Sequence, residues 1–242
     1  MRNSVAKKKE KKLLPGPAYL RRPELFVKME QLAEQIAAAG FLDWLALLTS
    51  LAYVWLAARD NNWCWLFAAV STAVWAWQSF FEYNLVSDGL LQVFYFAMAG
   101  VGIWRWREKE RGHEKEKGHA TPLPITSMSF KEHLFTVLGG LVGGLGLGYF
   151  FSNTLEAAAT YPDAITTVFS IITTFLLIGR RLENWLYWIV IDAVYVWIYA
   201  GTGAVLFAAM MIINIGVASY GFFQWRNGVL PNDQAIGGAP YK

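Results

Sequence analysis

The sequence predicts an all-α integral membrane protein. Seven transmembrane helices are expected, as two parallel three-helix repeats joined by a linker helix. Three observations carry this: an apolar composition, seven long apolar runs, and a recurring pattern in the first and last three of those runs. Of 242 residues, 55% are hydrophobic and only 16% charged, against about a quarter charged in a soluble domain. The mean hydropathy is +0.31. Such a chain is neither disordered nor an ordinary cytosolic enzyme. With Cys64 as its single cysteine it is no disulfide scaffold either.

The elements follow in order. Residues 1–40 form a basic tail, with Lys7, Lys8, Lys9, Lys11 and Lys12 at its start. Lysines in such a setting read as a solvated segment beside anionic lipid, and no nucleic-acid partner is expected. Leu13 and Leu14 run into Pro15, too short a stretch for a signal peptide. Within the tail, residues 24–38 place Leu25, Met29, Leu32 and Ile36 on one stripe, with Lys28, Glu30, Gln31, Glu34 and Gln35 off it. That spacing predicts an amphipathic helix lying in the membrane interface.

A bilayer core needs roughly 20 apolar residues per helix. Runs at about 41–58, 63–83, 88–106, 133–151, 161–179, 184–200 and 203–225 qualify. Strands are excluded by run length and by the lack of period-two alternation. The first unit is 41–106 and the second 161–226. A charged loop, 107–132, a Gly-rich linker helix, 133–151, and a C-terminal tail, 227–242, complete the chain. The loop alternates Glu and Lys and reads as a solvated linker. In the linker helix Gly139, Gly140, Gly143, Gly144, Gly146 and Gly148 allow close helix approach, within the chain or between copies.

Beyond the tail, every Lys and Arg falls in the connections after the first, third, fifth and seventh runs: Arg59, the 105–131 cluster, Arg180, Arg181, Arg226 and Lys242. The positive-inside rule then puts the 107–132 loop and the C-terminus in the cytoplasm and the N-terminus outside.

The two units share a pattern. Asn62 and Trp63 precede Trp75 as Asn184 and Trp185 precede Trp197, and Arg59 and Arg181 stand three positions before each Asn. Gly102 and Trp106 match Gly221 and Trp225, each pair followed by Arg. The offset is 122 residues at the first match and 119 at the last. A three-helix unit repeated directly reverses its orientation unless one further helix intervenes, and the linker helix supplies it. Parallel repeats of this kind are a transporter plan with the site at the repeat interface.

Polar side chains inside membrane helices generally face a cavity. Trp185, Trp188, Asp192 and Tyr195 share one helical face, with Asn184 beside them. Asp88, Gln92 and Tyr95 form a second stripe. Ser71, Trp75, Gln78 and Glu82 form a third. Trp44, near the start of the first run, joins the candidate set. Converging stripes would make a pocket of aromatic planes, amides and carboxylates, suited to a flat, cationic heterocycle with a carboxamide and hydroxyls. Trp63, Trp104, Trp106 and Trp225, at run ends, are expected in the interfacial belt. His113, His119 and His133 lack metal-ligand spacing, and no nucleotide-hydrolysis or redox motif is present. No catalytic residue, metal or cofactor is expected.

The segment Glu183-Asn184-Trp185-Leu186-Tyr187-Trp188, followed by Asp192 and Tyr195, resembles the signature of the PnuC family of nicotinamide riboside transporters. Leu91-Gln92-Val93-Phe94-Tyr95-Phe96, closing at Trp104 and Trp106, is similar to that family's other strong segment, and the resemblance covers about 41–226. It implies a SWEET-like fold, a homotrimer in the bacterial inner membrane, and uptake of nicotinamide riboside by facilitated diffusion with alternating access. Relatives commonly carry Asn where this chain has Asp192. The expected partners are that vitamin and the lipid bilayer. A thiamine or sugar carrier of the same fold is the alternative, and a membrane enzyme or sensor the alternative from another class.

Overall fold

A computed structural model describes residues 24–82, 86–117, 124–153 and 160–228. These hold eight helices: α1 (Glu24–Ala38), α2 (Phe41–Ala58), α3 (Cys64–Phe81), α4 (Val86–Lys117), α5 (Phe130–Ser152), α6 (Thr160–Ile178), α7 (Asn184–Thr202) and α8 (Val205–Arg226). Six are long and apolar enough to cross a membrane: α2, α3, α5, α6, α7 and α8. α4 is not among them. It carries Asp88, Gln92 and Arg105 within its apolar stretch and runs on into charged sequence. The all-helical architecture and these six helices make the chain a multi-pass membrane protein.

α4 corrects one expectation. The charged loop begins as helix rather than as linker, because α4 continues to Lys117. Glu and Lys are good helix formers, and the sequence supplies opposite charges at i, i+3, as in Arg107/Glu110, Glu108/Arg111 and Glu114/Lys117. The stretch 118–123 lies outside the described residues.

The ends of the helices are set by local chemistry. The Asp43 carboxylate accepts from Gly40 N at 2.8 Å and so satisfies a free amide at the start of α2. Ser129 and Glu132 form a reciprocal capping box at the start of α5. α7 ends at Gly203, whose φ of 81° suits a residue without Cβ. Gln35 of α1 donates to Gly203 O and accepts from Leu206 N, both at 2.8 Å, which pins α1 across the α7–α8 turn.

α2, α3 and α4 pack consecutively, and so do α6, α7 and α8. The two sets meet where α2 packs on α8 and α4 on α6. α5 packs against α6 through Gly140, Gly144 and Gly148, on which Phe169, Ile165 and Tyr161 lie. Large apolar side chains point outward along each of the six membrane-length helices, among them Leu48, Leu66, Val142, Phe175, Val190 and Ile212. That surface suits lipid, and polar side chains are turned inward.

The α2–α3 and α6–α7 turns match bond for bond. Arg59 N, Asp60 N and Asn61 N donate to Trp55 O, Ala57 O and Leu56 O. Gly179 N, Arg180 N and Arg181 N donate to Phe175 O, Leu177 O and Leu176 O. Among the described residues, Asp60 and Arg180 are the two non-glycine residues with left-handed backbone, at φ 56° and 55°. The register between the turns is therefore 120 residues, not 122. Trp185 corresponds to Trp65, and not to Trp63, which is exposed.

The recurring Gly–Trp pairs acquire a reason. A Cβ on Gly102 would sit 2.3 Å from the Trp65 ring, and one on Gly221 would sit 2.8 Å from the Trp185 ring. One helical turn later, Trp106 meets Trp65 edge-on at 5.2 Å and Trp225 meets Trp185 at 5.4 Å. Trp106 and Trp225 are therefore buried core and not interfacial belt, whereas Trp63 and Trp104 are exposed. Their ring N–H groups find partners inside: Trp106 Nε1 donates to Ile178 O at 3.1 Å and Trp225 Nε1 to Ala57 O at 3.2 Å.

The α5–α6 contact is testable. A methyl on Gly144 would lie 2.7 Å from Ile165 Cα, so backbone must move. Gly144→Ala is expected to destabilise the protein by about 1–3 kcal/mol. Gly146→Ala, which meets nothing within 4 Å, should leave thermal stability unchanged or slightly raised. Melting curves of the two variants in detergent check this.

Candidate functional site

Between the two three-helix sets lies a cavity of about 690 Å³, a size that accommodates a small-molecule ligand. It is lined from α2, α3, α4, α6, α7 and α8. The lining pairs up at the spacing of the turns: Ser50 with Ser170, Val54 with Thr174, Ala57 with Leu177, Trp65 with Trp185, Trp75 with Tyr195 and Ser79 with Tyr199.

Seven of the ten predicted site residues come together here: Asp88, Gln92, Tyr95, Trp185, Trp188, Asp192 and Tyr195. Their helical stripes place them. Asp88, Gln92 and Tyr95 share one face of α4, and Trp185, Trp188, Asp192 and Tyr195 one face of α7. Ser79 bonds to the Asp88 carboxylate at the mouth of α4.

Three candidates stand apart from the cavity lining. Asn184 is fully buried and its Nδ2 donates to Arg181 O at 2.6 Å, which ties the start of α7 to the preceding turn. Gln78 Nε2 donates to Asp43 Oδ1 at 2.6 Å and Glu82 Oε2 at 3.3 Å, linking α2 to α3. Trp44 is half-buried beside that link on α2. A side chain at helical spacing from a cavity stripe still turns to the neighbouring helix when a partner stands there.

The two tryptophans of the α7 stripe differ. Trp185 is 1% exposed, packed on Gly221 and against the Trp225 edge. Trp188 is only partly buried, and among the described residues no ring stacks on it. Trp188 therefore offers the open aromatic face. A second aromatic surface runs from Tyr195 to Tyr199, stacked at 5.6 Å and 14°, then to Phe207 and Trp75 at 5.6 and 5.7 Å.

The sequence reading missed Tyr53, Trp65, Tyr199, Phe207 and Asn214 in this lining. Trp65 and Asn214 are the telling ones. Trp65 Nε1, Trp185 Nε1 and Asn214 Oδ1 are buried without a hydrogen-bond partner. Trp65 would have been found by a 120-residue register. Asn214, a lone amide in the apolar run of α8, is a signal the sequence displays openly.

The charge of the lining is one-sided. Among the described residues that line it, Asp88 and Asp192 are the only ionisable carboxylates, and there is no Arg, Lys or His. Basic groups gather instead at one end, where Arg180 pairs with Asp60 and lies 4.9 Å over the Trp106 ring.

Residues 40–227 match the family model described as nicotinamide mononucleotide transporter. The nicotinamide riboside transporter PnuC of Escherichia coli (strain K12) is 26% identical over 214 residues, covering 79% of this chain and 89% of the relative. The protein of that name from Shigella flexneri matches to the same extent. Among solved structures, the crystal structure of the vitamin B3 transporter PnuC aligns with a TM-score of 0.64 at 21% identity, covering 85% of this chain and 89% of that one. That likeness shows a shared fold.

The placement of Asn184 gives a sharp test. Asn184→Ala removes a buried bond and should lower stability by about 1–2 kcal/mol. Ligand affinity of the folded fraction should not change. A purified variant that melts normally but binds weakly would return Asn184 to the site.

Proposed function

The chain belongs to the nicotinamide mononucleotide transporter family, and from that premise we propose that it carries nicotinamide riboside into the cell. It is a membrane transporter and not an enzyme. The observation that favours the riboside over the mononucleotide is the lining's charge. A phosphate dianion would enter a site with two carboxylates and no cation, at a large desolvation and repulsion cost. Nicotinamide riboside has no phosphate and carries a positive pyridinium ring. Trp188 offers that ring a face, Asp192 a countercharge, and Gln92, Tyr95 and Asn214 hydrogen bonds for the carboxamide and the ribose hydroxyls.

The proposed architecture is seven membrane helices, α2–α4 and α6–α8 as parallel units around a pseudo-two-fold axis, with α5 as linker, as in SWEET-like folds. Its support is the matched turns, the paired cavity lining and the crossed packing of α2 on α8 and α4 on α6. Alternating access suits that plan, and facilitated diffusion is the proposed mode of transport. Arg59, Arg180, Arg181 and Arg226 gather at one end with Trp106 and Trp225, which favours a cytoplasmic C-terminus. The bacterial inner membrane is the proposed location and a homotrimer the proposed assembly. The outer face of α5, with Phe135, Val142 and Leu145 exposed, is surface open to it.

Titration of the purified protein with nicotinamide riboside, nicotinamide mononucleotide, thiamine and glucose tests the substrate. Tightest binding of the riboside, with the mononucleotide weaker, is expected. Preference for the mononucleotide would sink this reading, and preference for thiamine, another flat cation, would redirect it. Trp188→Ala should weaken riboside binding about tenfold or more, as loss of a stacked ring does in comparable sites. In liposomes, uptake should reach equal concentrations on the two sides without an ion gradient. Gradient-driven accumulation would refute facilitated diffusion.

A further inference from the structure

At the arginine-rich end the cavity is closed by contacts that cross between α2–α4 and α6–α8. The Asp60–Arg180 ion pair joins the α2–α3 turn to the α6–α7 turn. The two residues occupy matching positions, each two past the end of its helix, and each is held at a left-handed φ. That backbone costs a non-glycine residue energy and persists where surroundings over-determine it, commonly in segments that switch. Two further bonds cross in opposite directions: Trp106 of α4 donates to the end of α6, and Trp225 of α8 to the end of α2. The Arg180 guanidinium lies over the Trp106 ring, and the Trp106 and Trp225 rings meet at 6.3 Å.

Arg180 is presented from a braced backbone. Thr126 N donates to Arg180 O at 3.1 Å and Leu182 N to Thr126 O at 2.9 Å. Arg181 reaches Ser127 O at 3.3 Å and Glu132 at 2.6 Å. Thr126, Ser127 and Glu132 thus strap the α6–α7 turn.

We propose that the Asp60–Arg180 pair and the crossed Trp106 and Trp225 bonds form the latch of a gate at this end. The latch is made while the cavity is closed here and broken each time substrate passes to or from this side. The cavity wall above it is Ala57, Leu177, Trp65 and Trp185, so a molecule leaving at this end must part the two turns. An ion pair and single hydrogen bonds suit such a joint, because water can replace each partner when the turns separate. The inference rests on the transporter reading but not on which substrate is carried.

The chain's single thiol, Cys64, reports on the latch. It is fully buried in the same cluster as Trp65, Trp106 and Trp225. In the full-length protein, the rate of Cys64 modification by N-ethylmaleimide measures how often this end opens. Asp60→Asn and Arg180→Gln should each speed modification about tenfold or more, since either change removes the ion pair that joins the two turns. The charge swap, Asp60→Arg with Arg180→Asp, should slow it again toward the parent rate. Trp225→Phe keeps an aromatic ring, though a smaller one, and removes the indole N–H of the crossing bond, so it serves where a charge variant fails to fold, and it should speed modification about threefold or more. Unchanged modification rates in folded single variants, or a swap as fast as the single variants, would overturn the latch. Riboside titration of the parent is a separate readout: a protein that binds no riboside but responds to the latch variants would lose the substrate assignment and keep the gate.

Discussion

A polar group in the hydrocarbon of a bilayer has no water to turn to, and this constraint organises the molecule. Backbone groups meet it by forming helices. Side chains meet it in two ways. Some close short bonds at helix junctions, as Asn184 does to Arg181 O and Gln78 to Asp43. Others, such as Asp192 and Gln92, face a shared cavity. Outward faces are left to Leu, Val, Ile and Phe. The cavity is thus the place where polarity is permitted, and its content decides what can enter.

Much of this is legible in the sequence because period and polarity obey the same rule. Stripes of polar and aromatic residues on the third and sixth apolar runs identified seven cavity residues, since in lipid a polar stripe has few other places to point. Asn184, Gln78 and Trp44 fall outside the lining because sequence spacing gives a face but not the neighbour across it. Trp106 and Trp225 misled for a related reason. Position at a helix end suggests an interfacial role, yet the glycines one turn earlier open room for the rings of Trp65 and Trp185, and the four indoles pack together. The register between the units was misread by two residues, because an Asn-Trp dipeptide is a weaker marker than a turn. The turn's marker is a left-handed backbone at Asp60 and Arg180, which no residue type displays unambiguously.

The pairing of the lining is close in position and loose in chemistry. Trp75 stands opposite Tyr195 and Val54 opposite Thr174. Identical halves would present identical chemistry to both ends of a ligand. Divergent halves keep matching backbone positions while presenting different groups to different parts of an unsymmetrical molecule. The acidic groups show this: Asp192 belongs to one unit and Asp88 to the other, on different helices of each.

The crossed indole bonds also bear on how the chain is assembled. They join residues 72 and 168 positions apart, whereas consecutive helices pack on their sequence neighbours. Local contacts form early during synthesis and distant ones late, because closing a long loop costs entropy before any contact rewards it. Each three-helix set can therefore condense as it emerges, holding its own glycine–tryptophan contact. The Ala57 carbonyl, which accepts from Asp60 N in its own turn, by contrast waits for α8 to receive its crossing bond. Until Trp225 arrives, the first set displays an unfinished seam toward the membrane, and a chain terminated before α8 keeps it permanently. What that seam lacks is the second donor to the Ala57 carbonyl and the Trp225 ring beside Trp106.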